Sequence, residues 1–305
     1  MTVDVIIPTF QPGPELLQLL QSLLKQTIHP NKIILMNTLT DGCDRRRFEE
    51  TYGISENISI THIEPSEFDH ATTRNQGAKQ SSADYMLFCT QDAVPVDNQL
   101  IEKLLQHQDD EVVLSYARQI GDPNSPIETL SREFNYPPYA QIKREKDKEK
   151  LGIKTIFCSN VCALYNWKVF WELNGFSDYN IFNEDMIYAY CVIKSGYAIA
   201  YEADAIVRHS HNYGYKKIFH RYFDQGVSQH MNQAIFKQFS SMNEGKKQAY
   251  YILKHLWTQK EYKEIIRFIG QSIAKIAGYQ LGLHYQILPN TWCKKLSMNK
   301  NFFKE

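Results

Sequence analysis

The chain has 305 residues, of which 43% are hydrophobic and 22% are charged. These proportions are those of a globular protein and exclude a disordered or collagen-like chain. The formal net charge is zero, but residues 245–305 carry 11 Lys and Arg against 3 Asp and Glu, and the preceding residues carry 23 against 31. This charge balance gives no reason to expect a nucleic-acid partner, and it favours an acidic surface as the partner of the basic end.

Neither a leader peptide nor a membrane span is expected from the sequence. The start, Met1–Asp4, lacks the basic and then apolar pattern of a secretory signal. No segment reaches the run of about 18 apolar residues that predicts a spanning helix. We therefore expect a cytoplasmic protein whose membrane contact is at most peripheral, at the inner face of the cell membrane.

Strands and helices alternate in the first part of the chain. The β-branched run Val3–Ile7 ends at Pro8 and predicts a buried parallel strand, and the leucines of residues 14–26 predict an amphipathic helix. Further strands are predicted at 32–37, 58–63, 85–89 and 112–117, and further helices at 72–80 and 98–106. This alternation predicts an α/β domain with a mostly parallel central sheet flanked by helices, which binds ligands at the carboxyl ends of its strands.

The alternation loosens after residue 120. Residues 121–151 contain four prolines and the charge run Lys143–Lys150, and we interpret them as a long surface excursion, with a mobile lid as one interpretation. Order is predicted to return at 155–164, with helices at 167–173 and 184–195, strands at 198–203 and 205–209, and a mostly helical region at 215–283.

Asp92 is the first candidate for metal chemistry, because it follows an apolar strand in the polar turn Thr90–Pro95. A carboxylate at a strand end is a suitable ligand for a divalent cation that binds phosphate groups. Taken alone, Asp92 is equally well explained as a residue that caps the turn before Pro95.

Four segments together resemble the family 2 glycosyltransferases of the GT-A fold. Val5–Phe10 is similar to that family's first strand and base-binding loop, and Asn37–Cys43 resembles the loop after its second strand. Thr73–Gly77 resembles the start of the helix before the metal strand. The segment 175–185 resembles the acceptor site. The resemblance covers about residues 3–230 and predicts the GT-A fold.

The resemblance implies a nucleotide-sugar donor. Thr9 and Asp41 would contact the nucleobase and ribose, and Arg74 would lie near the diphosphate at a helix N-terminus, where backbone N–H groups favour an anion. The full set of expected donor-binding residues is Pro8, Thr9, Phe10, Asp41, Arg74, Gln91 and Asp92.

The metal motif departs from the family pattern. It is usually Asp-x-Asp, and here Thr90 occupies its first position, which leaves Asp92 as the carboxylate ligand of Mn²⁺ or Mg²⁺. We expect the imidazoles of His209 and His211 to lie on opposite faces of an extended segment. The resemblance implies that a histidine here binds the metal or contacts the diphosphate; which of the two does so is open, and we assign His209. The alternative is a pair of surface histidines without a ligand.

An acidic pair, Glu184 and Asp185, matches the pair that carries the catalytic base in inverting members of the family. The resemblance implies that Asp185 removes the acceptor's proton. The alternative is that Asp185 only stabilises a helix dipole, by roughly 0.3–1 kcal/mol. Glu184, Trp167 and Asn160 are expected to contact the acceptor, although the helical spacing around Trp167 also fits core packing.

The segments 67–75 and Thr90–Pro95 more closely resemble the rhamnosyltransferase branch, including enzymes that extend streptococcal rhamnose cell-wall polysaccharides. This implies inverting transfer of L-rhamnose from dTDP-β-L-rhamnose to a polyprenyl-diphosphate-linked saccharide. The alternatives are a UDP-hexose or UDP-N-acetylhexosamine transferase, a non-catalytic protein that binds nucleotide sugars, and a nucleotidyltransferase. The last is disfavoured because the loop Pro8–Gly13 lacks a basic residue.

We divide the chain into a catalytic domain, residues 1–230, and a helical extension, residues 231–305. Within the catalytic domain, residues 1–117 form the nucleotide-sugar-binding half and residues 152–230 the acceptor half. The extension combines aromatic and aliphatic residues with Lys and Arg. Such helices either lie on an anionic membrane or pack on the catalytic domain or on a second copy of the chain in a homodimer.

Overall fold

The computed structural model describes residues 1–40, 42, 44–178, 180–211, 213–239 and 242–303. Its centre is a nine-stranded sheet. The strands are β1 (Val3–Phe10), β2 (Lys32–Thr38), β3 (Ile58–Ile63), β4 (Tyr85–Cys89), β5 (Val94–Pro95), β6 (Val112–Ile120), β7 (Gln141–Lys143), β8 (Cys162–Asn166) and β9 (Ala198–Arg208).

Helices cover both sides of the sheet and form the C-terminal region. In chain order they are α1 (Pro14–Leu23), α2 (Arg45–Tyr52), α3 (His70–Lys79), α4 (Leu100–Leu105), α5 (Pro126–Asn135), α6 (Lys148–Leu151), α7 (Trp167–Glu172), α8 (Glu184–Lys194), α9 (Tyr215–Met231), α10 (Gln233–Phe236), α11 (Met242–Thr258), α12 (Tyr262–Leu283) and α13 (Asn290–Leu296). Short 3-10 turns lie at Glu145–Asp147, Gly152–Ile156, Tyr285–Ile287 and Lys300–Phe302.

The strand order is β3-β2-β1-β4-β8-β6-β9-β5, and β7 pairs with β9. β1–β4, β6 and β9 point in one direction, whereas β5, β7 and β8 run against them. Two apolar cores lie against the two faces of the sheet, one containing Phe88 and Phe170 and the other the leucines of α1. The prediction of a mostly parallel sheet flanked by helices is confirmed.

The predicted strands of the first 117 residues are all present, but α2 was not predicted. α2 presents only Phe48 as a buried side chain, so its sequence lacks an apolar stripe. Its start is fixed by Asp44, whose side chain accepts a hydrogen bond from the backbone N–H of Arg47 at 3.1 Å, as helix-capping residues do.

The prediction of a long surface excursion at residues 121–151 is wrong, because the segment folds onto the sheet. Pro126 starts α5, a position that suits proline because the first N–H groups of a helix have no helical partner. Lys143 ends β7 and is 1% exposed. Its ammonium group contacts the hydroxyl of Tyr116 and the backbone carbonyls of Lys154 and Phe157. The prolines and charges therefore mark an ordered part of the fold.

The two strands predicted at 198–203 and 205–209 form one strand, β9, which carries a large bulge. Ala117 pairs with Glu202 and the next residue of β6, Arg118, pairs with Ile206, so three residues of β9 are extra at this point. Beyond the bulge, the end of β9 pairs with β5, with Val94 opposite Arg208. This pairing brings the turn after β4 beside the residues that follow β9.

The predicted helical region at 215–283 consists of α9, α10, α11 and α12, and α12 packs closely on α9. Glycines permit this approach. A methyl group added to Gly278 or Gly282 would overlap the backbone carbonyl of Phe219 or Phe223, respectively. Within the described ranges, no helix combines the length and the apolar character that crossing a membrane requires.

Candidate active site

A cleft of about 500 Å³ lies where β4, β6 and β9 end. Its wall is formed by residues 157–161, the start of α8, the residues after β9, and side chains of α5, α9 and α12. The predicted site residues in this wall are Arg74, Asn160, Glu184, Asp185 and His209.

A carboxylate and two imidazoles meet at the edge of the cleft. One carboxylate oxygen of Asp92 lies 3.6 Å from His209 Nε2 and the other lies 3.5 Å from His211 Nε2. One ligand atom from each of the three residues can be chosen so that all lie within 4.8 Å of one another. The cluster forms because β5, which starts two residues after Asp92, pairs with the end of β9.

The expectation that His209 and His211 lie on opposite faces is wrong. Their ring centroids are 4.5 Å apart, and both rings approach Asp92. The physical reason is that side chains two residues apart along an extended chain point to the same face. The ring of His211 also stacks on Tyr213, with centroids 4.7 Å apart and planes 10° apart.

A buried amide orients His209. Arg132 Nη1 donates to Gln119 Oε1 at 2.5 Å, and because a guanidinium has no acceptor, this contact fixes which end of the amide is oxygen. That oxygen lies 3.1 Å from His209 Nδ1. Arg132 Nη2 lies 3.1 Å from the same nitrogen, so Nδ1 either donates to the Gln119 oxygen or accepts from Arg132. In the first of these tautomers the lone pair of Nε2 is directed toward Asp92, the arrangement in which ring nitrogens bind metal ions.

His209 is held as a neutral imidazole. Burial, followed by the nearby Arg132 guanidinium, lowers the pKa of His209 well below its usual value. For His211, burial again lowers the pKa, although the Asp92 carboxylate opposes the shift. Neutral imidazole is the form that coordinates metals.

The three side chains fit a divalent cation. Two ligands bound at about 2.0–2.2 Å to one ion lie roughly 3–3.5 Å apart in tetrahedral or octahedral geometry. The separations of 3.5 and 3.6 Å join each histidine to a different oxygen of Asp92, so they need only a small adjustment if both oxygens bind. With one ligand atom from each residue, the atoms lie within 4.8 Å and must move closer together. One carboxylate and two imidazoles also leave coordination positions for ligand oxygens.

The acidic pair at the start of α8 has two different environments. Glu184 accepts a hydrogen bond from the amide of Asn160 at 3.1 Å, and its carboxylate lies 3.3 Å from Arg74 Nη1. Asp185 accepts from the backbone N–H groups of Asn160 and Met186 at 3.0 and 2.8 Å. Asn183, in the left-handed conformation with φ of 66°, precedes the pair and begins the helix.

These environments separate the two pKa values. Burial, with the neighbouring Glu184 charge, raises the pKa of Asp185 to about 7. Burial is the largest influence on the pKa of Glu184 and opposes its ionisation. The Arg74 guanidinium, His70 and the Asn160 amide together outweigh burial, and the pKa of this carboxyl is lowered. Adjacent carboxyls with pKa values pushed apart are typical of acid–base sites, and a group with a pKa near 7 is suited to proton transfer at neutral pH.

Two residues of the cleft wall, Thr90 and Arg74, carry buried polar atoms without partners among the described residues. Within the described part of the chain, the hydroxyl of Thr90 and Nε of Arg74 are buried and have no hydrogen-bond partner. Cations also line the wall: Arg221 from α9, and Arg267 and Lys275 from α12. Arg221 lies over the ring of Phe182, 4.7 Å from its centroid. The cleft therefore offers hydrogen-bond donors and positive charge to an anionic ligand.

The remaining predicted donor residues lie beside the cleft at the ends of β1 and β4. Gln91 joins these strands, because its amide accepts from the N–H of Phe10 at 2.8 Å and donates to its carbonyl at 3.1 Å. Thr9 is buried and donates to Asn37 Oδ1 at 3.0 Å. Pro8 precedes Thr9 in β1. Asp41 lies outside the described residues. The donor-binding roles of these residues stay predictions.

Trp167 is the predicted acceptor residue that the fold keeps away from the cleft. It begins α7 and packs against the core cluster of Phe88, Phe170 and Tyr188. Within the residues that the structure describes, its ring N–H has no hydrogen-bond partner. An acceptor role for Trp167 stays a prediction that this position does not support.

Several residues of the site were missed by sequence reasoning. Gln119 and Arg132 orient His209, and Glu128 accepts hydrogen bonds from Ser210 Oγ at 2.5 Å and from the N–H of His211 at 3.0 Å. Two of them lie on α5, in the segment predicted to be an excursion. An apolar pattern at residues 126–130, with Ile127 and Leu130 buried, was the available signal for that helix.

Comparisons with known proteins agree with this geometry. The family described as "Glycosyl transferase family 2" matches residues 4–174. The chain is 37% identical to the O-antigen chain rhamnosyltransferase RfbN of Salmonella typhimurium strain LT2, over 99% of this chain and 96% of that protein. It is 36% identical to the O-antigen chain rhamnosyltransferase WbaN of Salmonella anatum, over 98% and 95%.

Solved structures share the fold at low sequence identity. The mannosyltransferase PcManGT of Pyrobaculum calidifontis, in complex with GDP-Man and Mn²⁺, superposes with a TM-score of 0.61 at 15% identity, covering 92% of this chain and 86% of that one. S. aureus TarS 1–349 gives 0.56 at 13% identity, covering 98% and 84%. The predicted GT-A fold and the resemblance to family 2 and its rhamnosyltransferases are confirmed. The chain therefore belongs to glycosyl transferase family 2 and is a glycosyltransferase.

Proposed function

We propose that this glycosyltransferase moves L-rhamnose from dTDP-β-L-rhamnose to a polyprenyl-diphosphate-linked saccharide during polysaccharide assembly, with inversion at the anomeric carbon. The observation that carries the proposal is the shared wall of the cleft. It holds a carboxyl whose pKa is about 7, Asp185, together with the histidines that contact Asp92. The choice of rhamnose is supported by the two relatives named as O-antigen chain rhamnosyltransferases.

In this proposal Asp185 is the catalytic base. An acceptor hydroxyl oxygen attacks the anomeric carbon as its proton passes to the Asp185 carboxylate, and the bond from that carbon to the diphosphate oxygen breaks. The electron pair of the broken bond leaves with dTDP. Two backbone N–H groups fix the carboxylate, so it is already oriented when the acceptor binds.

Asp92, His209 and His211 would hold the divalent cation. When bound, such an ion stabilises the negative charge that develops on the departing diphosphate. Two imidazole nitrogens favour a transition-metal ion such as Mn²⁺ over Mg²⁺, which prefers oxygen ligands. Arg74, 5% exposed and with an unpaired Nε, is positioned to add positive charge on the Glu184 side of the cleft.

A diphosphate-bearing acceptor is supported by the cations on the helical side of the cleft. Arg267 and Lys275 reach it from α12, and Arg221 reaches it from α9, close enough to the histidine pair to add to the effect of burial and lower the pKa of His209 and of His211. A simple sugar acceptor needs no such charge, whereas a lipid-linked saccharide carries two phosphates. We therefore assign this side of the cleft to the acceptor.

The experiment that tests the proposal measures release of dTDP from dTDP-L-rhamnose by the purified protein, with a polyprenyl-diphosphate-linked N-acetylglucosamine acceptor. Mn²⁺, Mg²⁺ and EDTA are compared, for the wild type and for Asp92→Asn. We expect release that requires the acceptor, is faster with Mn²⁺ than with Mg²⁺, and is lost in EDTA and in the variant.

Each result that differs from this expectation would change a specific part of the proposal. Release that survives EDTA would remove the cation from the proposal and leave the base in place. Activity with UDP-hexoses or UDP-N-acetylhexosamines but not with dTDP-L-rhamnose would replace the donor. Nucleotide binding without release, for every donor and acceptor tried, would favour a non-catalytic protein that binds nucleotide sugars.

A further inference from the structure

Helix α12 carries an exposed apolar row that no other part of the described chain covers. The side chains of Tyr262, Ile266, Ile269, Ile273 and Ile276 are between 49% and 73% exposed. Their spacing of four and three residues places them on a single face of the helix. Single exposed apolar residues are normal on protein surfaces, but five aligned ones mark an interaction site.

The opposite side of α12 accounts for its packing within the protein. Gly278 and Gly282 approach α9, and Phe268 enters a small core with residues of α5 and α11. Arg267 and Lys275 on this side line the cleft. Because a helix with its side chains is about 10–12 Å across, the exposed row lies roughly that distance from the cleft wall.

The apolar row continues onto α11. Tyr250 and Trp257 are 69% and 67% exposed and lie seven residues apart, on one face of that helix. The ring of Trp257 contacts the ring of Tyr262 at the turn between the helices, with centroids 5.8 Å apart. The two helices therefore share one surface, which we call the outer face: Tyr250, Trp257, Tyr262, Ile266, Ile269, Ile273 and Ile276.

Basic side chains accompany this surface. Lys254 lies between Tyr250 and Trp257 on the same face of α11, and Lys260 and Lys263 flank Tyr262. All three lysines are exposed. An apolar row with lysines beside it and aromatic rings at one end is the pattern of helices that lie in the headgroup region of a membrane, where long basic side chains extend to the phosphates.

We propose that the outer face is a membrane-docking surface for a bilayer that contains anionic phospholipids. The isoleucines enter the boundary between headgroups and acyl chains, and the lysines contact lipid phosphates. Docking in this orientation holds the cleft about one helix diameter above the lipid surface. The partner is thus a lipid surface, which goes beyond the sugar transfer proposed above and does not depend on it.

Charge argues against a second copy of the chain as the occupant. The exposed charges beside the outer face are Lys254, Lys260 and Lys263 against Glu261, so a symmetric contact through this face would bring two positively charged surfaces together. Such juxtaposition of like charges is unfavourable at an interface. An anionic bilayer has the complementary charge.

The test is flotation of the purified full chain with vesicles, in the absence of donor and acceptor. One set of vesicles is phosphatidylcholine alone and the other contains equal parts of phosphatidylcholine and phosphatidylglycerol. We expect binding to the anionic vesicles, weaker binding at high salt, and at least about a tenfold loss of affinity in Ile266→Ser/Ile273→Ser/Ile276→Ser, because each isoleucine contributes buried apolar area.

Two further variants make the result specific. Ile54→Ser removes an isoleucine that is 41% exposed before β3 and should bind as the wild type does. Lys254→Glu/Lys263→Glu keeps the apolar row and should lose the preference for anionic vesicles. Circular dichroism of each variant checks folding.

The proposal is overturned if the wild type does not float with anionic vesicles, or if the triple serine variant floats equally well. A wild-type dimer in light scattering that the triple variant converts to monomer, without vesicle binding, would assign the outer face to a subunit contact instead. Because no sugar transfer is measured, failure of the rhamnosyltransferase proposal would leave this result unchanged.

Discussion

The two parts of the sheet place their functional side chains in different ways. In the parallel part, strands β1–β4, most candidate donor residues lie at the end of β1 or in the turn after β4, and contacts between these two strand ends, such as the Gln91–Phe10 pair, hold them. In the mixed part, strands β5–β9, the histidines follow a bulged strand, and their orientation depends on side chains of other elements, such as Gln119 of β6 and Arg132 of α5.

The difference shows what fixes the positions of functional side chains in this protein. Parallel strands bring their carboxyl ends to one edge of the sheet, so the position of a residue after a strand is nearly sufficient to locate it. In the mixed part, some strands run against the others, and the orientation of a side chain depends on its hydrogen bonds to residues of other strands and helices. Substitutions in the mixed part should therefore affect chemistry through orientation as well as through loss of a functional group.

The largest effect is expected for Asp185→Asn. Loss of the base should lower the rate of transfer by about 10²–10⁴-fold, with dTDP binding nearly unchanged. The folded-state pKa of Asp185 is raised to about 7, so its ionisation costs stability as pH rises from its unfolded value toward 7 and beyond. The amide should therefore melt no lower than the wild type at pH 8. Rate, dTDP affinity and melting temperature are measured together.

The control for this substitution is Asp110→Asn, which removes an exposed carboxylate that does not line the cleft and should leave the rate unchanged. Substantial turnover by Asp185→Asn would reject the base. A large fall in its melting temperature would instead favour the interpretation of Asp185 as a residue that stabilises the helix end.

A smaller effect is expected for Gln119→Leu, which keeps the approximate volume but removes the amide that holds His209. Loss of a partner that orients a metal ligand typically costs about 10–100-fold in metal affinity or activity. We expect the Mn²⁺ concentration needed for half-maximal rate to rise by that factor. Gln26→Leu is the matched control, because it removes a buried amide that bonds the backbone near Asp97, far from the cleft.

If both glutamine variants respond alike to Mn²⁺, Gln119 has only a structural role. If only Gln119→Leu needs more Mn²⁺, then a residue that does not contact the ion controls its binding. That result would support the contrast between the two parts of the sheet.

The next effect concerns pH. In Glu184→Gln, a negative charge beside Asp185 is lost and the pKa of Asp185 should fall. Because the base must be deprotonated to act, the acidic limb of the rate profile should move to lower pH. The variant also leaves the buried Arg74 without its carboxylate, so its stability should fall by about 3–5 kcal/mol. An unshifted acidic limb would show that another group controls it.

The smallest effect on activity is expected where α12 meets α9. Gly278→Ala would force a methyl group against the backbone carbonyl of Phe219, and such overpacking typically costs about 1–3 kcal/mol. Gly245→Ala meets nothing within 4 Å and lies in helix α11, so it should stabilise by up to about 1 kcal/mol. Thermal unfolding of both variants checks the opposite signs. Equal destabilisation would mean that the close contact is not what Gly278 provides.

The parallel part was predictable from the sequence because its strands are short runs rich in apolar and β-branched residues, separated by helices and polar turns. Asp92 and Asp185 were located by resemblance, and the structure places Asp185 in the cleft and Asp92 at its edge. α5 was missed because its prolines and charges outweighed a weak apolar pattern. The approach of both histidines to Asp92 could not be derived from the sequence, because it depends on the pairing of β5, only two residues long, with the end of β9.

The bulge in β9 has a consequence for how this site tolerates insertions and deletions. Because neighbouring residues of a strand alternate between its two faces, removing the single exposed residue Asp204 would turn His209 and His211 away from Asp92 unless the bulge readjusted. Asp92, His209 and His211 would all still be present in the chain. The number of residues in the bulge therefore matters as much to the geometry of the candidate active site as the identity of any residue in it.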